Sequence, residues 1–293
     1  MNNSYYARVR VIPLGRGRDS NTAQVDLRVT PLSSQEALET MLSDAEHPYS
    51  QHKIVILNPK GGSGKTTLAT NLASYFAMRG PPPTLIDADP GGYSLRWNDK
   101  RPADRPPVHA IAGYDQGTYD DRDISQIQDS KEIIVDLPAG LTPEEMFDHT
   151  YDASSILLPI VPSEIDIHSA AKFIGDLLLF TQLDRRKRNL AIVANRTRQR
   201  TKSYAMLTRF LTSLNIPVVA RLRDSQAFVH ATAFGIGICE MQAHKVRQDM
   251  EQLERIVSWL DRWRSRQLDR LIADEIGRNV DHNTLTPTVA MHQ

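Results

Sequence analysis

An apolar run, Ile54-Val55-Ile56-Leu57, leads into Lys60-Gly61-Gly62-Ser63-Gly64-Lys65-Thr66-Thr67 and then into a helical repeat. No other stretch constrains the fold as much. A strand entering a helix through a glycine-rich loop commits its neighbours to a βαβ unit, and so to parallel strands. Gly61, Gly62 and Gly64 let the backbone adopt positive φ and approach an anion closely. The loop N–H groups, from Lys60 through Thr67, then converge on phosphate, helped by the helix N-terminus behind them. In that reading Lys65 reaches the outer phosphates and the Thr66 hydroxyl binds Mg²⁺. Leu68, Leu72, Tyr75 and Phe76 share one helical face, and Gly80-Pro81 ends the helix.

Further apolar runs recur at intervals that leave room for helices between them. They are Thr84–Asp87, Glu132–Asp136, Ser154–Val161, Leu190–Ala194 and Pro217–Arg221. Several end in ligand-type residues: Asp87 and Asp89, Asp136, and Asn195. Strand ends of this kind face the ligand crevice of an open sheet. The expected fold is therefore α/β, a doubly wound, mostly parallel sheet with helices on both faces.

The chain has 293 residues, enough for one large domain with extensions. Its formal net charge is zero, so a polyanion partner must be argued from local clusters. Cys239 is the single cysteine. It excludes an internal disulfide framework, fits a reducing cytosol, and reads as a small buried hydrophobe. No apolar run reaches the length of a membrane span, and no signal peptide opens the chain. A cytoplasmic location is the expectation.

The general phosphate loop has glycine where this chain has Pro59, and it gives no role to Lys60. KGGSGKTT instead resembles the deviant Walker A loop of the ParA/MinD family of ATPases. That resemblance implies ATP and Mg²⁺ as ligands. It also implies a face-to-face dimer in which Lys60 crosses to the partner's ATP and neutralises charge on the transferring phosphoryl group, as an arginine finger does. Asp87-Ala88-Asp89-Pro90 is similar to the family's second motif, although Gly91-Gly92 stand where Gln-Gly is usual. By the same resemblance Asp89 orients the attacking water near Mg²⁺, with Asp87 close behind it. Asp136-Leu137-Pro138-Ala139-Gly140 resembles the Walker B segment; Asp136 would hold Mg²⁺ through water, and the residues after it would sense the γ-phosphate. Asn195 resembles the family's adenine contact. Arg223-x-x-x-Ala227-Phe228-x-x-Ala231-x-x-x-Gly235 resembles a segment near the nucleotide and the dimer face. The likeness runs from about residue 51 to 260.

ParA-type relatives bind DNA without sequence preference, chiefly as ATP-bound dimers. Here Arg185-Arg186-Lys187-Arg188 and Arg198, Arg200 and Lys202 flank one strand, and such contacts would be phosphate-led and salt-sensitive. The resemblance thus implies a nucleoid-associated ATPase, stimulated by a cognate adaptor, that positions or segregates a plasmid, a chromosome region or a protein cargo. Two alternatives stay open: a MinD-like membrane-cycling regulator, and a metabolic ATP-dependent enzyme on the same fold. The tail lacks a basic, apolar tethering helix, which argues against a membrane partner. Relatives of the metabolic kind lack a lysine matching Lys60. An iron–sulfur dimer of the nitrogenase type would need more thiolates than one cysteine supplies.

Residues 1–50 fall outside the resemblance. Tyr6–Ile12 and Ala23–Val29 alternate apolar and polar, as half-buried strands do, and a helix is expected from Ser33 through Met41. The domain reading is an N-terminal extension over 1–50, an ATPase domain over 51–276 and a disordered tail over 277–293. Val246, Met250, Leu253, Val257 and Leu260 form a helical seam expected to dock on the domain.

Overall fold

A computed structural model describes residues 7–14, 24–31, 51–113, 126–127, 129–180, 189–214 and 216–283, with the backbone alone at 7–14, 24–31, 178–180 and 266–283. The chain divides into two compact units, one of residues 51–267 and one of residues 1–50 and 268–293.

In the smaller unit, β1 (Ala7–Leu14) and β2 (Gln24–Pro31) pair antiparallel, with Ala7 opposite Pro31 and Leu14 opposite Gln24. Both strands begin one residue later than expected and end two residues later. The helix expected from Ser33 and the basic run Arg185–Arg188 lie outside the described residues.

The larger unit is built on seven parallel strands: β3 (His52–Ile56), β4 (Thr84–Asp87), β5 (His109–Ala112), β6 (Glu132–Asp136), β7 (Ser155–Ile160), β8 (Leu190–Thr197) and β9 (Val218–Arg223). Their order is β5-β4-β6-β3-β7-β8-β9. The chain first winds outward from β3 to β5 and returns through β6. It then winds the other way through β7 to β9. The change of direction opens a crevice at the carboxyl ends of the strands, where β3 and its loop emerge.

Alternation along β3 shows why both faces are covered. Ile54 and Ile56 join one apolar cluster with Leu68, Leu72 and Phe76 of α1 (Lys65–Ala77). Val55 joins another with Phe173, Ile174 and Leu177 of α4 (Glu164–Phe180) and Leu207 and Leu211 of α5 (Lys202–Ser213). Between them stand α2 (Tyr93–Asp99), α3 (Pro143–Thr150), and later α6 (Gln226–Ala233) and α7 (Ala243–Asn283). A reciprocal capping box between Thr142 and Glu145 starts α3.

The α7 seam docks as expected. Val246, Leu253, Val257 and Leu260 are buried in the first cluster, and each such side chain stabilises by about 1.5–3 kcal/mol. On the same helix Trp259 and Trp263 stack with their rings 6.2 Å apart, and the Trp263 indole donates to Ser154 O at 2.8 Å. The order expected to end at Gly277 does not end there. The helix passes Gly277 and continues to Asn283, since one glycine costs a helix only about 1 kcal/mol. Among the described residues no helix is long and apolar enough to cross a membrane.

Candidate nucleotide-binding site

The loop after β3 closes on itself through Asn58, which the sequence reading missed. Its Nδ2 donates to Pro159 O at 2.6 Å and its Oδ1 accepts from Lys60 N at 2.8 Å, so the turn is fixed to β7. Gly62 and Gly64 take φ of 77° and 97°, values that L side chains resist. A Cβ at Gly64 would also lie 2.1 Å from Asn195 Nδ2. Asn195 donates from that nitrogen to Ser63 O at 2.8 Å and accepts Arg196 N at 2.9 Å. Its carboxamide therefore braces the loop, and contact with a base would require it to exchange these bonds.

Lys65 is buried at the start of α1, and its Nζ donates to Asn58 O and Lys60 O at 3.3 and 3.4 Å. Burial lowers the pKa of this ammonium, while Asp136 and Asp89 pull it back up. Two carbonyls at long distance leave the cation under-satisfied, and it lines a cleft of about 590 Å³ with Gly61, Gly62, Thr66, Asp89 and Ala139. Thr67 lies on the wall shared with a second hollow of about 540 Å³, which Asn195, Arg223, Ser225 and Phe228 also line.

The carboxylates divide the work between them. Asp87 spends its oxygens on backbone: Oδ2 accepts from Ser94 N and Leu95 N at 2.8 and 3.0 Å, and Oδ1 from Asp89 N at 3.1 Å. It thereby caps the start of α2. Asp89 is partly exposed on the cleft, with Oδ1 accepting from Gly91 N at 2.8 Å. Asp136 is fully buried at the end of β6. Its Oδ2 accepts from Ser94 Oγ at 2.6 Å, and its Oδ1 has no partner with hydrogen-bond geometry. Burial pushes this carboxyl up to about 6, against the hydroxyls of Ser94 and Thr66, which hold it down.

An ionisable oxygen left bare in the interior, beside a threonine hydroxyl, fits a hard divalent cation. Among the described residues no three His, Cys, Asp or Glu side chains could hold a metal by themselves. Thr66 and Asp136 would therefore hold Mg²⁺ together with the nucleotide's own phosphates.

Lys60 lies outside this cluster. Its Nζ donates to Asp166 Oδ2 at 2.7 Å, and the Asp166 carboxylate also accepts from Ser163 Oγ. The lysine is 40% exposed and the aspartate 10%. Of the basic candidates, Arg198, Arg200 and Lys202 are exposed after β8. Arg198 pairs with Asp224, with Nε at 2.9 Å.

The α2 wall of the cleft carries Tyr93, Arg96, Trp97 and Lys100, none of which the sequence reading singled out. Trp97 is buried and donates to Ile236 O at 3.2 Å. Arg101 lies 5.3 Å from the Trp97 ring centre and forms a buried bidentate pair with Glu240 at 2.9 and 2.8 Å.

The parallel sheet, glycine loop, buried lysine and strand-end carboxylates define a P-loop nucleotide-binding protein. Residues 54–238 match the CobQ/CobB/MinD/ParA nucleotide binding domain, and the chain belongs to that ParA/MinD family of ATPases. ATP and Mg²⁺ are the ligands such a site takes. The chain is 24% identical over 209 residues to maintenance of carboxysome distribution protein A of Halothiobacillus neapolitanus, covering 70% of this chain and 94% of that one. Its fold is like that of an ATP complex of a Cyanothece McdA variant, with a TM-score of 0.55 and 14% identity over 71% of this chain and 97% of the other. It is also like Mg-ADP-bound MinD from Pyrococcus horikoshii, with a TM-score of 0.51 and 17% identity over 72% and 96%.

Proposed function

We propose that this chain is a ParA-type positioning ATPase. ATP brings two copies face to face, the dimer binds DNA without sequence preference, and slow hydrolysis stimulated by an adaptor protein releases it. The observation that carries the reading is a second lysine, Lys60, in the phosphate loop of a chain whose family model spans residues 54–238.

In this reading Lys65 and the loop N–H groups grip the phosphates. Thr66 directly, and Asp136 through water, hold the cation, which when bound neutralises phosphate charge. Asp89 orients the attacking water. Lys60 leaves Asp166 and acts on the nucleotide of the partner subunit. Arg198, Arg200 and Lys202 meet DNA phosphates in the dimer, together with Arg185, Arg186, Lys187 and Arg188. The location would be the cytoplasm, on the nucleoid. A relative that maintains carboxysome distribution favours a protein body as cargo over a plasmid or chromosome region.

The test is DNA binding and oligomeric state measured with no nucleotide, with ADP and with ATP, at two salt concentrations. Binding and dimerisation only with ATP, weakened by salt, is the expected result. DNA binding that ignores nucleotide overturns the switch. ATP-dependent pelleting with anionic vesicles and no DNA binding would replace the reading with a membrane cycle.

A further inference from the structure

Three arginines in the described structure stack on aromatic rings. Arg79 lies over Tyr75 and Arg101 over Trp97, and each also has a carboxylate partner, Asp261 and Glu240. Arg96 lies 4.8 Å from the centre of the Tyr93 ring, and among the described residues no ion pair engages it. Arg96 and Tyr93 both line the 590 Å³ cleft, which Asp89 also lines. An unpaired guanidinium has five donors in a planar fork suited to phosphate oxygens.

Tyr93 takes its position because residue 91 is glycine. A Cβ at Gly91 would fall 2.4 Å from Tyr93 Cε2 and 2.9 Å from Cδ2, so any side chain there must displace the ring. The second motif departs from the family's Gln-Gly at this same residue. A Cβ at Gly92, which takes φ 60°, would meet Arg96 Nη1 only at an ordinary 3.9 Å. The departure is thus coupled to an aromatic support for one cation on the cleft wall.

Resting on the nucleotide-site reading above, we propose that Arg96 is a third cation for the bound nucleotide's phosphates, supplied in cis beside Lys65. Tyr93 is its positioning residue, and Gly91 provides the space. A surface stack without a ligand is the alternative, and it predicts no effect on binding.

The experiment measures equilibrium binding of N-methylanthraniloyl-ATP with Mg²⁺ to the full chain. Arg96→Ala is expected to weaken binding roughly ten-fold, and Arg96→Lys to recover part of that loss. Tyr93→Ala shifts it the same way by less, while Tyr93→Phe matches wild type. Tyr93→Ala combined with Arg96→Ala is no worse than Arg96→Ala alone, because Tyr93 acts through Arg96. Melting temperatures without nucleotide stay level, which separates a binding role from a structural one. If Arg96→Ala binds like wild type while Lys65→Ala loses binding, the inference falls and the nucleotide site stands. If wild type binds no nucleotide, the site reading falls first and takes the inference with it.

Discussion

At the amino ends of the strands, His52 Nε2 meets Ser155 Oγ at 2.9 Å, Thr84 Oγ1 meets Ser130 Oγ at 2.7 Å, and Arg264 pairs with Glu132 at 2.8 Å. At the carboxyl ends, Asp136 keeps one oxygen without a partner, buried Ser63 Oγ has none, and Lys65 leans on two distant carbonyls. One sheet supports both ends with the same apolar core. The difference is how far the buried polar groups are satisfied. The groups in these three amino-end pairs are matched within the fold and serve stability. Those at the carboxyl end are preorganised for charge that arrives with a ligand, and the folded chain alone carries their desolvation cost.

Substitutions can break this contrast. The largest effect is expected for Lys65→Ala at the carboxyl end. ATP hydrolysis should fall roughly 10²–10³-fold with little change in melting temperature, as read by phosphate release. Unchanged turnover would show that the lysine is structural.

At the amino end the expected effect is on stability and depends on pH. Burial, with Arg264 nearby, lowers His52 from 6.5 to about 3. Between those values the unfolded chain binds a proton that the folded chain refuses. The stability that His52 contributes is therefore complete above pH 6.5 and lost as pH falls, at about 1.4 kcal/mol per unit. In urea titrations at pH 7.5, 6 and 5, the gap between wild type and His52→Asn should shrink on acidification; a constant gap would mean that His52 titrates normally.

A smaller effect with the opposite sign belongs to Asp136. Asp136→Asn removes a buried charge that the fold does not fully compensate. In metal-free buffer at neutral pH it should raise stability by about 1–3 kcal/mol while abolishing Mg²⁺-dependent hydrolysis. A loss of stability would show that its pairing with Ser94 matters more than its burial. The mildest change is Asp166→Ala. The pair with Lys60 is partly exposed, so removing it should shift ATP-dependent dimerisation only a few-fold, toward the dimer. Weaker dimerisation would mean that Asp166 orients Lys60 rather than restraining it.

Much of this contrast was legible in the sequence at the carboxyl end and little of it at the amino end. The loop, Lys65, Thr66 and Asp136 stand beside their strands, where local pattern carries the message. The strand β5, His109–Ala112, has four residues and no alternation to mark it, and the seven-residue α2 is too short for a periodic face. Ser94 meets Asp136 across 42 residues and Asn58 fixes the loop through Pro159 O, so both roles exist only once strand order is known. Asp87 was read as a group beside the catalytic centre; as the cap of α2, it positions the wall that carries Arg96. Sequence does mark residue 91, where a side chain common in relatives is absent, but not the ring that fills its place.

The chain has three tryptophans, and their placement gives it a built-in optical reporter. Trp259 and Trp263 stack together on α7, whereas Trp97 alone lines the cleft, with the Arg101 cation 5.3 Å from its ring centre. Its emission should respond to nucleotide entry against a steady background from the stacked pair. With Trp259 and Trp263 replaced by phenylalanine, the signal that remains would time nucleotide binding in solution without any attached dye.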